Sequence, residues 1–517
     1  MNYHYQNFHQ MLTASAQKNP RGTAIFNDKL KISYREFKQQ VETVAAYLQS
    51  IDVKYGDKVA MVVTNSPEFV IAYFAITAIG AVAVPLNTFL KNDEFAYILN
   101  DCQVRFMVAS FEKRKELKGL RKTTKLEKTI WIGGTEQSTD RHLSFADALA
   151  YVGEADFTRQ PQINDLAHII YTSGTTGHPK GALISYKNLF SNIECAAEIF
   201  GVRTKDRFLV FLPMFHSFTL TTMVLLPVFA ASSMILVKSV FPFFTVLKQA
   251  LYKRATVFLG VPAIYTAMGK AKIPWYFRWL NRIRIFISGG APLAEQTILD
   301  FKAKFPSAHL LEGYGLSECS PVVAVNRLEK QKVGSVGLSL PGYQVKAVDD
   351  ELMEVQRGEV GELIVKCDAV MQGYLNMPVD TAEVIINGWL KTGDLVKIDD
   401  DGFIFIVDRK KDLIISKGQN IYPREIEEEL YKMDEIEAAA VIGVPDQYAD
   451  EDVVAFVQFK EGMSLTEAEI RSALRKTLAN FKIPKEIHFQ DKLPRNATGK
   501  VLKRVLKQQF LDGEKAV

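Results

Sequence analysis

Cysteine is scarce in this sequence, and neither sign of charge dominates. The 517 residues include four cysteines, 63 lysines and arginines, and 59 aspartates and glutamates, for a net charge of +4. The cysteines are Cys102, Cys195, Cys319 and Cys367. They lack the spacing of metal ligands or of a disulfide framework, which disfavours a zinc site and a disulfide scaffold. The small net charge disfavours a nucleic-acid partner, and the free thiols predict a reducing, cytoplasmic setting.

The sequence also lacks a recognisable targeting or membrane-spanning segment. Its beginning, MNYHYQNFHQ, does not show the basic-then-apolar order of a secretory signal. Two uncharged runs, residues 69–90 and 218–237, are long enough to span a bilayer. Gly80 and Pro227 divide them into helix and strand segments, so both runs are predicted to lie in a protein core. No transmembrane span is expected, while a peripheral membrane contact and a homodimer are left open.

The stretch YTSGTTGHPKG, residues 171–181, lacks the P-loop pattern although its composition suits phosphate. Pro179 stands where that pattern needs glycine, and Gly181 follows the lysine where it needs serine or threonine. The apolar segments AHIIY and GALIS flank it, which predicts a turn between two strands. Phosphate would then be held by backbone N–H groups, hydroxyls and the Lys180 ammonium group. A flexible Gly/Thr turn is the alternative, but it does not require the lysine.

The remainder of the sequence alternates strand and helix patterns. Strands such as KVAMVVT and IRIFISGG are separated by helices, one of which opens with a capping box at Ser33 and Glu36. This rhythm predicts an α/β fold with two doubly wound sheet units. From Gly334 onward, short strands between glycines and acidic turns predict a small unit that is either mostly antiparallel or a small β-barrel. After DRKKD, residues 408–412, a smaller α+β domain is expected.

Six motifs occur in an order known from one enzyme superfamily. They are YTSGTTGHPKG, EGYGLSE (312–318), GELIV (361–365), WLKTGD (389–394), DRKKDLIISKGQNIYP (408–423) and PRNATGK (494–500). Together they resemble the adenylate-forming enzymes, which include acyl-CoA synthetases, luciferase and peptide-synthetase adenylation domains. The similarity extends over essentially the whole chain. It implies an N-terminal AMP-binding domain, residues 1–409, and a mobile C-terminal domain, residues 410–517.

In that superfamily a carboxylate attacks the α-phosphate of ATP, pyrophosphate leaves, and a thiol then attacks the acyl-adenylate. The resemblance implies ATP, Mg²⁺ and CoA as cofactors of this chain. It assigns the β- and γ-phosphates to Thr172, Ser173, Gly174, Thr175, Thr176, Gly177 and Lys180. It assigns Mg²⁺ to Glu318 and Thr176. It assigns the adenosine and the α-phosphate to Gly313, Tyr314, Gly315, Ser317, Asp394 and Arg409.

Two positions depart from the usual residues of the superfamily. Ser317 stands in place of threonine and keeps the hydroxyl expected at the α-phosphate. Asp408 stands in place of glycine before Arg409, which supplies the expected ribose contact. Both changes are therefore expected to be tolerated.

The last motif contains Lys500, which would be a solvated surface lysine if seen alone. By resemblance it is the catalytic lysine, whose ammonium group reaches both the attacking carboxylate and the α-phosphate. The small domain is implied to rotate about Lys411 between the two half-reactions. Lys417 and Gly418 are then expected to shape the channel for the pantetheine arm of CoA.

The acid is expected to bind beside His216 in LPMFHSF, which joins Lys500 and Lys180 as a catalytic candidate. Seen alone, that histidine would be a packing residue. The segments SFTLTTMVLL, GVPAIYTAM and SGGAPL are apolar and offer no charged partner for an amino group. This composition favours a medium- to long-chain fatty acid as substrate.

Three other functions are left open by the sequence. They are an aryl-acid CoA ligase of the 4-coumarate type, an acyl carrier protein ligase and a non-catalytic lipid-binding scaffold. The scaffold is disfavoured because it has no physical need for five intact site residues. These are Lys180, Glu318, Asp394, Arg409 and Lys500.

Overall fold

The structure is a computed structural model of the chain. It describes residues 3–134, 139–172, 179–240, 242–270, 277, 280–306, 308–416, 419–445, 451–495 and 500–514. Two large sheets, a smaller antiparallel sheet and a compact C-terminal unit make up the fold. The α/β fold class predicted from the sequence is confirmed. The predicted domain boundary between residues 409 and 410 stays a prediction.

The first large sheet has six parallel strands and one antiparallel edge strand. In spatial order they are His142–Ser144, Lys128–Ile132, Phe106–Ser110, Lys58–Val62, Val82–Pro85, Leu166–Thr172 and Lys180–Ser185. The last two strands flank the glycine- and threonine-rich loop. The two flanking strands predicted from the sequence are present and pair antiparallel, while residues 173–178 lie outside the described residues.

The second large sheet has six parallel strands with antiparallel strands at both edges. In spatial order the nine strands are Leu338–Ser339, Val322–Val325, Leu310–Gly315, Ile285–Ser288, Val257–Gly260, Arg207–Val210, Ser233–Leu236, Thr23–Asn27 and Leu30–Ser33. Strand Leu310–Gly315, the last parallel strand on its side of the sheet, contains the first part of the EGYGLSE motif. The two sheet units predicted from the strand and helix rhythm are both present.

Helices cover and separate these sheets. The α-helices before residue 400 are Phe8–Lys18, Tyr34–Ser50, Pro67–Ala78, Asn92–Asp101, Leu120–Thr123, Phe145–Leu149, Tyr186–Ile199, Ser217–Thr219, Leu226–Phe229, Phe243–Tyr252, Pro262–Lys270, Glu295–Lys304 and Pro378–Val384, with a π-helix at Leu220–Leu225. The Ser33–Glu36 capping box is present, because each residue accepts the backbone N–H of the other.

The two apolar runs belong to the core, as the sequence predicts. Every residue of helix Pro67–Ala78 except Glu68 is buried, and the helix begins at the Ser66 N-cap. Pro227 lies in the short helix Leu226–Phe229, ahead of strand Ser233–Leu236. Among the described residues, no helix is long and apolar enough to cross a bilayer.

The region predicted as a small β-barrel is an antiparallel sheet of five strands. They are Gln344–Val348, Val360–Lys366, Trp389–Ile398, Ile385–Ile386 and Ile404–Arg409. Their pairings, in the part of the chain that the structure describes, leave the sheet open. The expectation of a barrel is corrected here, because closure needs a pairing between the outer strands Gln344–Val348 and Ile404–Arg409.

The C-terminal unit is a small α+β structure, as predicted. Its strands are Ile414–Ser416, Gln419–Ile421, Ile436–Pro445, Glu451–Phe459 and Glu486–Phe489, and its α-helices are Pro423–Tyr431, Glu467–Leu474 and Lys503–Glu514. Thr466 and Glu469 form a capping box at the start of helix Glu467–Leu474. Ile470, Leu474 and Leu478 recur at helical spacing, and all three are buried.

Candidate active site

Asp394 lies at the centre of a buried polar cluster. Its partner across the antiparallel pairing of Trp389–Ile398 with Ile404–Arg409 is Arg409. Nε of Arg409 lies 2.9 Å from one carboxylate oxygen, and the hydroxyl of Tyr314 donates to the other at 2.5 Å. Burial and the neighbouring Asp394 charge raise the pKa of Tyr314 well above its usual value, so its hydroxyl stays protonated. Both oxygens of the carboxylate therefore have partners, as a buried charge requires.

A second buried carboxylate, Glu362 of the GELIV motif, fixes the backbone beside this pair. One oxygen accepts the N–H of Gly393 at 3.2 Å, and the other lies 3.0 Å from Nζ of Lys410. Gly393 precedes Asp394, and Lys410 follows Arg409. Glu362 thus contacts the residue before Asp394 and the residue after Arg409.

Thr172 and Lys180 mark the two ends of the predicted phosphate loop. They are direct partners in the antiparallel pairing of Leu166–Thr172 with Lys180–Ser185. The Lys180 ammonium group is hydrogen-bonded to Asp380 and lies 5.3 Å from the centre of the Tyr374 ring. This ammonium group lowers the pKa of Asp380. The loop residues Ser173, Gly174, Thr175, Thr176 and Gly177 lie outside the described residues, as do Lys417 and Gly418.

Glu318 lies next to this lysine and has two hydroxyl partners. Its Oε1 accepts from Tyr374 at 3.0 Å and from Thr172 at 3.4 Å. Among the described residues, no group of three or more acidic, histidine or cysteine side chains could hold a metal ion by itself. Mg²⁺ characteristically binds through one or two carboxylates together with substrate phosphates. The donors around Glu318 therefore fit Mg²⁺ that is shared with a nucleotide.

The EGYGLSE motif packs its backbone tightly against the next strand. A Cβ atom built at Gly315 would lie 2.1 Å from the carbonyl oxygen of Pro321, so only glycine fits there. A Cβ at Gly313 would lie 3.3 Å from a methyl group of Val325. Two residues after Gly315, the hydroxyl of Ser317 lies 2.9 Å from that of Ser217. This contact joins the motif to the segment that carries His216.

His216 is an uncharged residue in this structure. Its Nδ1 accepts the backbone N–H of Phe218 at 3.4 Å, which assigns the ring proton to Nε2. Burial lowers the pKa of His216 to about 4. The imidazole is therefore neutral near pH 7 and can donate one hydrogen bond from Nε2.

The apolar segments predicted to bind the acid lie next to His216. A Cβ atom built at Gly289 would lie 2.7 Å from Cζ of Phe218, so the SGGAPL and SFTLTTMVLL segments touch. The hydroxyl of Tyr265, in GVPAIYTAM, donates to the carbonyl of Ile287 at 2.7 Å. The residues of the π-helix Leu220–Leu225 are all buried. The three segments thus form one continuous apolar region beside the histidine.

Lys500 belongs to the C-terminal unit and interacts electrostatically with Asp394 and Arg409. Desolvation lowers its pKa to about 8, and the positive charge of Arg409 acts in the same direction. The carboxylates of Asp394 and Asp412 act against this shift. Lys500 keeps access to solvent. The charges of Arg409 and Asp394 in the large unit therefore act on this lysine of the small unit.

Sequence reasoning missed three residues of this site. Glu362 was noticed only as part of a motif, and Tyr374 and Asp380 belonged to no motif. Asp380 contacts a lysine 200 positions earlier, and the Tyr374 hydroxyl contacts a carboxylate 56 positions earlier. Neither contact has a periodic signal along the sequence. Only the folded structure reveals them.

Comparisons with known proteins show which family this chain is similar to. The AMP-binding enzyme family matches residues 12–375, and the AMP-binding enzyme C-terminal domain matches residues 425–500. The long-chain-fatty-acid–CoA ligase of Bacillus subtilis (strain 168) is 35% identical over 529 residues, covering 96% of this chain and 94% of that protein. The feruloyl-CoA synthase of an Amycolatopsis species is 33% identical over 499 residues, covering 96% and 97%.

A solved structure shares the arrangement of the whole chain. The crystal structure of ATP-bound MatB from Rhodopseudomonas palustris superimposes with a TM-score of 0.89 at 34% identity, covering 98% of this chain and 99% of that one. The family match covers well over half of the sequence and includes every strand that carries EGYGLSE and the glycine- and threonine-rich loop. The chain belongs to the AMP-binding enzyme family, within the adenylate-forming superfamily.

Proposed function

We propose that the protein is an ATP-dependent ligase that joins a medium- to long-chain fatty acid to CoA through an acyl-adenylate. The observation that carries the proposal is the buried cluster of Asp394, Arg409 and Tyr314, together with Lys500, on which the charges of Asp394 and Arg409 act. Such a cluster combines a carboxylate suited to two ribose hydroxyls with a cation placed for charge developing at a phosphate. Relatives named as long-chain-fatty-acid–CoA ligases support the same activity.

The nucleotide is proposed to lie across the EGYGLSE strand and the end of the antiparallel sheet. Adenine packs against Tyr314 between Gly313 and Gly315. The ribose hydroxyls bind Asp394 and Arg409, and the α-phosphate meets the hydroxyl of Ser317. The β- and γ-phosphates are held by Thr172, Lys180 and the five loop residues between 172 and 178 named above. When bound, Mg²⁺ offsets the charge of the phosphate oxygens, and Glu318 and Thr176 are the residues proposed to hold it.

Lys500 is proposed to act in the first half-reaction. The carboxylate of the acid and the α-phosphate are both negative, so they repel each other as they approach. An ammonium group between them reduces this repulsion and fixes their relative position. His216 can donate from Nε2 to the carboxylate without adding charge. The acid then displaces pyrophosphate from the α-phosphorus, and the acyl-adenylate forms.

The second half-reaction needs access for the CoA thiol to the acyl carbon. We propose residues 1–409 as the AMP-binding domain and residues 410–517 as a domain that rotates about Lys411. After rotation Lys417 and Gly418 shape the channel for the pantetheine arm. The thiol attacks the acyl carbon, and AMP leaves as the thioester forms.

The identity of the acid is tested by turnover. Purified enzyme is given ATP, Mg²⁺ and acids from acetate to stearate, with and without CoA, and AMP and pyrophosphate are measured. The proposal predicts the highest turnover with medium- or long-chain acids and a requirement for CoA in steady state. An aryl-acid ligase, favoured by the feruloyl-CoA synthase relative, would instead prefer coumarate or ferulate. An acyl carrier protein ligase would form its product when acyl carrier protein replaces CoA.

A further inference from the structure

Lys180 already has an anionic partner in this structure. Its ammonium group is hydrogen-bonded to Oδ1 of Asp380, and its side chain is only 12% exposed. The Asp380 side chain is 33% exposed and borders on solvent. A polyphosphate that approaches Lys180 therefore meets a lysine whose charge is already matched by a carboxylate.

The segment that carries Asp380 is fixed to the hairpin that carries Lys180. Residues 372–375 run along the edge strand Lys180–Ser185, where the N–H of Leu183 donates to the carbonyl of Gly373 at 2.9 Å. The N–H of Leu375 donates to the carbonyl of Gly181 at 2.8 Å. Thr381, next to Asp380, accepts the N–H of Tyr374 at 2.9 Å. The Asp380 carboxylate is thus held beside Lys180 by two separate backbone connections.

The same segment extends to the proposed metal ligand. The Tyr374 ring lies under the Lys180 ammonium group, and its hydroxyl donates to Glu318. Asp380, Lys180 and Glu318 therefore form one row with two carboxylates and one ammonium group. The row is negative overall, whereas its proposed ligand is a polyanion. Binding the nucleotide requires a phosphate to replace Asp380 as the partner of Lys180.

We propose that Asp380 competes with the polyphosphate of ATP for Lys180 and so weakens nucleotide binding. The inference rests on the proposed function and deepens it by naming a residue that sets the affinity for ATP. In the exchange, the phosphate takes the place of the carboxylate at the ammonium group. Because Asp380 borders on solvent, water can hydrate the displaced carboxylate. Asp380 is a positioning residue in this account, since it acts on the nucleotide through Lys180.

Neutralising Asp380 should therefore tighten ATP binding. Asp380→Asn keeps the shape of the side chain and an acceptor for Lys180, but removes the competing charge. Partly exposed ion pairs have modest energies, so we expect the Kd for ATP to fall about three- to fivefold. The ratio of the two Kd values should shrink at high salt, because screening weakens the competition.

The test is calorimetric titration of the full chain with MgATP in the absence of acid and CoA. KM for ATP and kcat are also measured in turnover. Asp380→Asn should lower KM for ATP and leave kcat unchanged. Asp380→Ser is a second variant that also removes the charge. Asp452→Asn is the matched control, because Asp452 pairs with Lys485 at 2.6 Å on the C-terminal unit and is similarly exposed, at 28%. The control should bind ATP like the parent.

A double-mutant cycle decides whether Lys180 carries the effect. In a Lys180→Ala background, Asp380→Asn should no longer tighten ATP binding to the same extent. An unchanged or increased Kd in both Asp380 variants overturns the inference, as does equal tightening with and without Lys180. Failure of the proposed function gives a different pattern, in which the parent protein binds no ATP or binds it without forming AMP from any acid.

Discussion

Asp394 and Arg409 face each other as direct partners in an antiparallel strand pair, with Nε of Arg409 2.9 Å from the carboxylate. The backbone pairing sets their separation, and Glu362 holds the residues next to both. Asp394 is 3% exposed, so its charge depends on these partners. This arrangement gives a preorganised acceptor for two vicinal hydroxyls.

Removing the charge of Asp394 should weaken ATP binding. Asp394→Asn keeps the shape but leaves Arg409 without its carboxylate and supplies a poorer acceptor for the ribose. Hydrogen bonds to charged groups contribute about 1.5–3 kcal/mol, so the Kd for ATP should rise about ten- to a hundredfold. Asp401→Asn is the control, because Asp401 lies 3.6 Å from Lys332 and is 65% exposed. Parent-like affinity in Asp394→Asn would argue against a ribose contact.

Lys500→Ala should slow the first half-reaction much more than the second. Loss of one preorganised cation is expected to slow acyl-adenylate formation about a hundred- to a thousandfold. Thioester formation from supplied acyl-adenylate and CoA should be largely retained, because that step does not bring a carboxylate to a phosphate. Lys476→Ala, an exposed lysine of the same C-terminal unit, serves as the control. An equal loss in both half-reactions would show that Lys500 does not act in the first step alone.

The pH dependence of adenylation should follow the protonation state of Lys500. Its pKa is about 8, and an ammonium group carries its charge only below its pKa. Adenylation kcat/KM for ATP should therefore be highest below pH of about 8 and fall as pH rises through that value. Lys500→Arg should move this descending limb to higher pH, because a guanidinium group stays charged. A limb that does not move in Lys500→Arg must belong to another group.

His216 should remain uncharged across the working range of the enzyme. Burial lowers its pKa to about 4, so its ring should not titrate between about pH 5 and 8. Histidine ring signals in NMR spectra, assigned by comparison with His216→Gln, provide the measurement. A titration of that ring near the ordinary histidine pKa would contradict the neutral donor role.

Much of the fold could be predicted because its signals are local. The Ser33–Glu36 capping box and the helix beginning at Pro67 both depend on a few neighbouring residues. The turn between strands Leu166–Thr172 and Lys180–Ser185 follows from two flanking apolar segments. The β-barrel prediction failed because closure depends on which strands pair, and the pattern within one strand does not encode its partner.

In the candidate site, too, the residues within sequence motifs could be predicted and the long-range contacts could not. Tyr314, Asp394 and Arg409 were proposed through motif resemblance, and the structure brings them together. The contact of Asp394 with Arg409 comes from strand register, and the contact of Tyr314 with Asp394 joins two different sheets. No sequence pattern indicated either contact. Asp380 and Tyr374 reach the site only through tertiary pairing with the edge strand Lys180–Ser185. Long-range contacts of this kind were beyond the reach of local sequence reasoning.

The central claim, attack of a carboxylate on the α-phosphorus of ATP, is tested most directly by following the oxygen of the acid. A long-chain fatty acid labelled with heavy oxygen in its carboxylate is incubated with the enzyme, ATP, Mg²⁺ and CoA, and the products are analysed by mass spectrometry. The account predicts one labelled oxygen in AMP and none in pyrophosphate. Formation of ADP with the label in orthophosphate would contradict it.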